Sequence, residues 1–105
     1  MGRSSREKGK RGERELAAEL RRLGFDARRG QQYNGSDGSA DVVGVDGLHI
    51  ECKRTEQLRL WEALTQSQVD ARDGEIPVVM HRPSRRPWVV IMTLDDFADV
   101  WRRND

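Results

Sequence analysis

Residues 40–53, Ala40-Asp41-Val42-Val43-Gly44-Val45-Asp46-Gly47-Leu48-His49-Ile50-Glu51-Cys52-Lys53, decide how this chain is read. Two runs, 40–45 and 48–53, flank Asp46-Gly47, and an Asp-Gly pair between such runs predicts a β-hairpin with a two-residue turn. Strand side chains alternate, so Leu48, Ile50 and Cys52 share an apolar face while His49, Glu51 and Lys53 share the other. Glu51 and Lys53 then project side by side, roughly 7 Å apart at the usual rise per residue. The preceding arm carries Asp41 across the hairpin toward the same end. Two carboxylates and an ammonium converge there.

Such a trio has a chemical use. Hard divalent cations such as Mg²⁺ prefer oxygen ligands and keep several waters, so one or two carboxylates suffice to hold them. The cation polarises a phosphodiester oxygen and lowers the pKa of a bound water. A lysine beside it orients that water or stabilises charge in the transition state. The same residues also fit a solvated surface hairpin with a Glu-Lys pair, and at this point both readings stand.

Outward from the hairpin, a helix is expected over 11–23, where Leu16, Leu20 and Leu23 recur at helical spacing and Gly24 supplies a stop. At about 100° per residue, Glu13 falls on the stripe of Leu16, Ala17 and Leu20, while Glu15 and Glu19 point away. A carboxylate on an inward face is costly unless it meets a cation or donors. A metal on the adjacent sheet would supply one. A first-turn acid complementing the helix dipole is the other reading. A short strand at 25–29 precedes a loop at 30–39 marked by Asn34-Gly35 and Asp37-Gly38.

Beyond the hairpin, a helix over 58–72 contains Leu58, Trp61 and Leu64. Strands at 77–82 and 88–92 follow, and a last helix starts after Thr93, a suitable N-cap, with Asp95 and Asp96 in its first turn. The order is α-β-β-β-α-β-β-α: an α/β domain with a mixed sheet of about five strands flanked by helices. No internal repeat appears.

Composition bounds the function. At 105 residues the chain is one domain near the lower end of self-sufficient cores. Hydrophobic and charged residues each make up 35%, so apolar positions must be used sparingly, in short periodic runs. No run approaches the length of a membrane span, and the charged N-terminus is not signal-like. The one cysteine, Cys52, cannot form an internal disulfide, which points to a cytoplasmic setting and, on the apolar face, to packing rather than reactivity. Net charge is only +1, but the first eleven residues carry five Lys or Arg against Glu7. Residues 1–10 read as a flexible basic arm suited to phosphate contact, or as a solvated terminus, with 11–105 the folded domain.

The pattern Gly12-Glu13-Arg14-Glu15-Leu16, Ser39-Ala40-Asp41-Val42-Val43 and Ile50-Glu51-Cys52-Lys53 resembles the PD-(D/E)xK nuclease superfamily. Within it the chain is most similar to the small archaeal-type Holliday junction resolvases and their phage-encoded relatives, over residues 10–92. The resemblance implies a restriction-endonuclease-like core and Mg²⁺ or Mn²⁺ held by Asp41 and Glu51. Glu13 would be the helix-borne acid, Lys53 the motif lysine, and the Cys52 main-chain carbonyl a further metal contact. Ala40 departs from the proline of the family's name, a position that shapes the turn rather than the chemistry. Phage-type relatives often carry a glutamine on the next helix; Gln66 fits by spacing, whereas helical phase favours Gln68.

The resemblance further implies an endonuclease for branched DNA that leaves 5′-phosphate and 3′-hydroxyl ends. It would act as a homodimer, in a bacterial or phage-infected cell, with no small-molecule cofactor and no membrane. A nickase, a repair, restriction-type or packaging nuclease, and a non-catalytic DNA-binding module are alternatives the motif cannot separate. Lys10, Arg11, Arg28 and Arg29 are candidate phosphate contacts, and the Arg82 to Arg86 stretch is either another or a solvated charge run. His49 and His81 are expected to be structural or exposed. Trp61, Trp88 and Trp101 are expected to serve a core or an interface.

Overall fold

The structure, a computed structural model, describes residues 2–30 and 40–104. Its elements follow the expected order: α1 (Gly2–Arg22), β1 (Arg28–Arg29), β2 (Val42–Val43), β3 (Leu48–Lys53), α2 (Leu60–Asp70), β4 (Ile76–His81), β5 (Val89–Ile91) and α3 (Leu94–Arg103). The five strands form one sheet in the order β1-β2-β3-β4-β5. The β3–β4 pair is parallel and the other pairs are antiparallel, so the sheet is mixed as expected. The parallel pair follows from α2, which lies between β3 and β4 in the chain and packs across the sheet, the crossover that parallel neighbours need.

Both faces of the sheet are covered. Leu16, Ala17 and Leu20 of α1 pack with Val42, Ile50, Ile76, Val78 and Met80, and Val100 of α3 joins the same side. On the opposite face Ala63 and Leu64 of α2 pack with Val79, flanked by Leu58 and Ile91. This is why β4 is buried on both faces along most of its length: its even positions face α1, and Val79 faces α2. Small residues bring α2 close. The Ser67 hydroxyl lies 3.1 Å from the carbonyl oxygens of both His49 and Val78, satisfying a buried polar group over the parallel pair.

Several boundaries differ from expectation. Helix α1 begins at Gly2, so the stretch read as a flexible arm is helical from residue 2 to 10. Its run of Arg, Lys and Glu, with Glu7 four residues before Arg11, consists largely of good helix formers, so the helix extends beyond the apolar stripe. Strand β1 is two residues long rather than five, and Phe25 stays exposed. The turn at Asp46-Gly47 is present, with the Leu48 amide donating to the Val45 carbonyl at 3.2 Å and Gly47 at φ +83°. Asp46 has no positive φ, so the turn is not of the primed kind that matches strand twist. The arms therefore splay, and β2 holds only Val42 and Val43. The expected loop falls mostly in residues 31–39, outside the described residues.

Helix α2 is shorter than expected and rotated. It buries Ala63, Leu64 and Ser67, leaving Trp61 73% exposed and Gln66 and Gln68 on its outer faces. The phase that grouped Trp61 with Leu64 gave way to the small residues, which allow the closer approach. Helix α3 is capped as expected, Asp96 N donating to Thr93 Oγ1 at 3.1 Å. Trp88 packs against the core, whereas Trp101 is largely exposed.

Candidate active site

The site is assembled at the C-terminal end of β3. Val42 pairs with Ile50, and the Asp41 amide donates to the Ile50 carbonyl at 3.0 Å, which sets Asp41 opposite Glu51. The Asp41 carboxylate is anchored as well: the Cys52 amide donates to its Oδ2 at 2.9 Å. Backbone pairing therefore delivers one acid, and a side-chain-to-backbone bond fixes its rotamer. Two residues further along the strand, Lys53 Nζ stands 3.9 Å from Glu51 Oε2. The trio expected from strand alternation is present.

Glu13 comes from α1, on the face that packs against β3. Gly12 makes this approach possible, since a Cβ there would lie 2.7 Å from Arg54 Cβ. The Glu13 carboxylate accepts from Arg29 Nε at 2.9 Å. Arg29, expected as a DNA contact, is thus engaged with the site acid, because β1 runs beside α1 and holds the guanidinium over Glu13. Lys10, Arg11 and Arg28 are exposed, as a phosphate contact requires.

The electrostatics tie these acids together. Burial, then repulsion by Asp41, raises Glu51 to about 7, with Lys53 opposing and Asp70 and Glu13 adding smaller repulsions. Burial likewise raises Glu13; the Arg29 hydrogen bond opposes this, and Asp41 adds to it. Carboxylates held close enough to repel in a half-buried site are the arrangement that a divalent cation relieves. The all-oxygen donor set of Asp41, Glu51 and Glu13 suits a hard ion. Cys52 offers no sulfur ligand: its side chain packs against the core and burial pushes the thiol up, so it stays protonated at neutral pH.

A cleft of about 300 Å³ opens beside the trio, lined by Lys53, Thr55, Gln57, Leu58, Arg59, Glu62, Ala63 and Gln66. Gln66 is exposed on its wall, and its amide donates to Asp70 Oδ2 at 2.7 Å rather than reaching toward Asp41. Gln68 is exposed too, so helical phase does not bring it to the site.

Two groups escaped the sequence reading. Arg54 and Arg82, which directly follow β3 and β4, both reach Glu15, at 3.2 Å and 2.9 Å, and tie these strand ends to α1. Arg82 is therefore not part of a freely solvated basic run, although Arg85 and Arg86 are exposed. The second group is His49 with Asp70: the histidine is buried under α2, as a structural residue would be, and nothing in its spacing pointed to Asp70 nearby. His81 Nε2 lies 2.9 Å from the Thr55 carbonyl, a structural contact.

A mixed sheet that presents Asp41, Glu51 and Lys53 at one strand end, with Glu13 supplied by the first helix, defines a PD-(D/E)xK nuclease. Residues 4–96 match the model of the archaeal Holliday junction resolvase (Hjc) family, and the chain belongs to that family. Its function is that of a Holliday junction resolvase nuclease. Among solved structures, it is similar to the 1.6 Å structure of Archaeoglobus fulgidus Hjc, a Holliday junction resolvase from an archaeal hyperthermophile. Identity there is 29%, over 78% of this chain and 74% of that one, with a TM-score of 0.62. No curated protein matches the chain. The matched family is archaeal, which gives no support to a bacterial or phage origin. Among the described residues, no helix is long and apolar enough to cross a membrane.

Proposed function

We propose that the chain cuts branched DNA by metal-dependent hydrolysis, with Asp41 and Glu51 as the principal ligands of Mg²⁺ or Mn²⁺. The observation that carries this reading is the Cys52 amide holding Asp41 opposite Glu51, with Lys53 Nζ 3.9 Å from the latter. When bound, the cation supplies Lewis-acid polarisation of the scissile phosphate and a water of lowered pKa. Glu13 completes the acidic wall, and the Cys52 carbonyl adds a neutral oxygen. Lys53 orients the attacking water and stabilises the charge that builds on the phosphate oxygens. Gln66, on the cleft wall, meets the DNA strand rather than the cation, while Lys10, Arg11 and Arg28 contact phosphates.

A junction has paired strands to cut, so two copies related by a twofold axis are the economical arrangement. Helix α3 supports a homodimer: Leu94, Phe97 and Trp101 are exposed, and the two aromatic rings have centroids 6.2 Å apart. Exposed apolar groups of this size on one short helix are what an interface covers. With no disulfide to keep and no spanning helix among the described residues, the proposed compartment is the cytoplasm.

The test compares cleavage of four-way junction, flap, single-stranded and linear duplex DNA in Mg²⁺, with Asp41→Asn and Lys53→Ala beside the parent chain. Preferential junction cutting is expected, reduced 10²-fold or more in either variant. Equal cutting by Lys53→Ala would remove the proposed roles. A parent chain that binds junctions but cuts none of the four would make it a binding module.

A further inference from the structure

The face of β3 under α2 holds a second group of metal-ligating atoms. A ring nitrogen of His49 and one carboxylate oxygen from each of Glu51 and Asp70 lie within 4.8 Å of one another. His49 and Glu51 are alternate residues of β3, and Asp70 closes the last turn of α2 above them. His49 is 2% exposed, yet its Nε2 has no hydrogen-bond partner among the described residues. Buried polar atoms are ordinarily hydrogen-bonded, so a buried orphan calls for an explanation.

The surroundings fit a ligand. Nδ1 of the same ring faces Glu75 Oε1 at 3.6 Å. A carboxylate facing one ring nitrogen favours the tautomer that leaves a lone pair on the other, the arrangement seen in metal-bound histidines. Gln66 donates to Asp70 Oδ2 at 2.7 Å and so fixes that carboxylate above the strand.

We propose that His49, Glu51 and Asp70 form a binding site for a borderline divalent transition metal such as Zn²⁺, distinct from the all-oxygen site of Asp41. One imidazole nitrogen with two carboxylates favours Zn²⁺ over Mg²⁺, which selects oxygen alone. Glu51 belongs to both sites. Zn²⁺ bound under α2 therefore draws that carboxylate from Asp41 and inhibits Mg²⁺-dependent cleavage, a consequence that rests on the proposed function; the binding itself does not.

The experiment titrates Zn²⁺ into the metal-free full chain by calorimetry and follows the ¹⁵N resonances of the His49 ring. One equivalent is expected to bind and shift Nε2, and its affinity should fall at least tenfold in Asp70→Asn and in His49→Ala. Asp41→Asn should keep this Zn²⁺ site. Unaltered Zn²⁺ affinity in Asp70→Asn, or an unshifted His49 ring at saturating Zn²⁺, would overturn the proposal. The ring measurement uses the unsubstituted chain, so it decides the matter even where His49→Ala fails to fold. Zn²⁺ binding without any Mg²⁺-dependent cleavage would sink the nuclease mechanism and leave this site standing.

Discussion

Glu51→Gln separates what the active-site acids contribute to function from what they cost in stability. Burial and the charge of Asp41 lift Glu51 from the ordinary 4.5 to about 7. A carboxylate raised in the folded state gives stability that is fully present below its unfolded pKa and is lost as pH rises through the folded one. The window thus runs from about 4.5 to about 7. Across it the metal-free chain loses roughly 3 kcal/mol, since each pH unit is worth about 1.4 kcal/mol. Glutamine keeps the shape and stays neutral, so Glu51→Gln should stabilise the chain by up to ~3 kcal/mol at pH 8 and by under ~1 kcal/mol at pH 4.5. For a domain of this size that is a rise of about 10 °C or more in melting temperature at pH 8. Thermal melts in chelator at the two pH values read both numbers. Saturating Mg²⁺ should then raise the melting temperature of the parent but not of the variant, because binding to the folded state alone stabilises it. A variant that melts at or below the parent in chelator at pH 8 would show that Glu51 is not held against its charge, and the electrostatic account of the site would fail.

Gly12→Ala should lower stability by about 1–2 kcal/mol in denaturant titrations despite alanine's better helix propensity, because its Cβ would press on Arg54 Cβ at 2.7 Å. Cleavage should fall further than stability explains, as α1 carries Glu13 away from β3. Trp101→Ala removes roughly 1.5–3 kcal/mol of apolar burial per copy from the proposed α3 interface. Twice that in a symmetric pair weakens it more than 100-fold, so sedimentation at micromolar concentration should show monomer, and the melting temperature should fall and lose its dependence on chain concentration. An unchanged sedimentation coefficient in the two chains would place the interface elsewhere.

The order of elements and the fold class were legible because they rest on periodicity. Period-two alternation in residues 48–53 named both faces of β3, and the stripe through Leu16 and Leu20 gave the inward face of α1 together with Glu13. What local pattern could not give was distance along the chain. The length of β2 depends on turn geometry at Asp46, which an Asp-Gly pair leaves open between primed and unprimed forms. The rotation of α2 depends on Ala63 and Ser67 fitting over β3 and β4, a preference for small volume that a hydrophobic stripe does not register. Trp61 misled for the same reason: its apolar surface suggested the core, but the helix sits too close to the sheet to admit it.

The same distinction divides the site. Asp41, Glu51 and Lys53 are neighbours by strand register, and register follows from a short stretch of sequence. Arg29 and Asp70 join only through the third dimension, one from beside α1 and one from the end of α2, and each changes what an expected residue does. Arg29 donates to Glu13 and so ties β1 to the acid that the first helix supplies. Gln66 donates to Asp70, and Asp70 adds to the charge around Glu51. Glu51 consequently stands between two acidic surroundings, Asp41 on the hairpin side and Asp70 under α2, with the Lys53 ammonium at 3.9 Å to offset them. At the two proposed sites a cation would reach this carboxylate from either side, with oxygen completing the shell beside Asp41 and the His49 nitrogen completing it under α2.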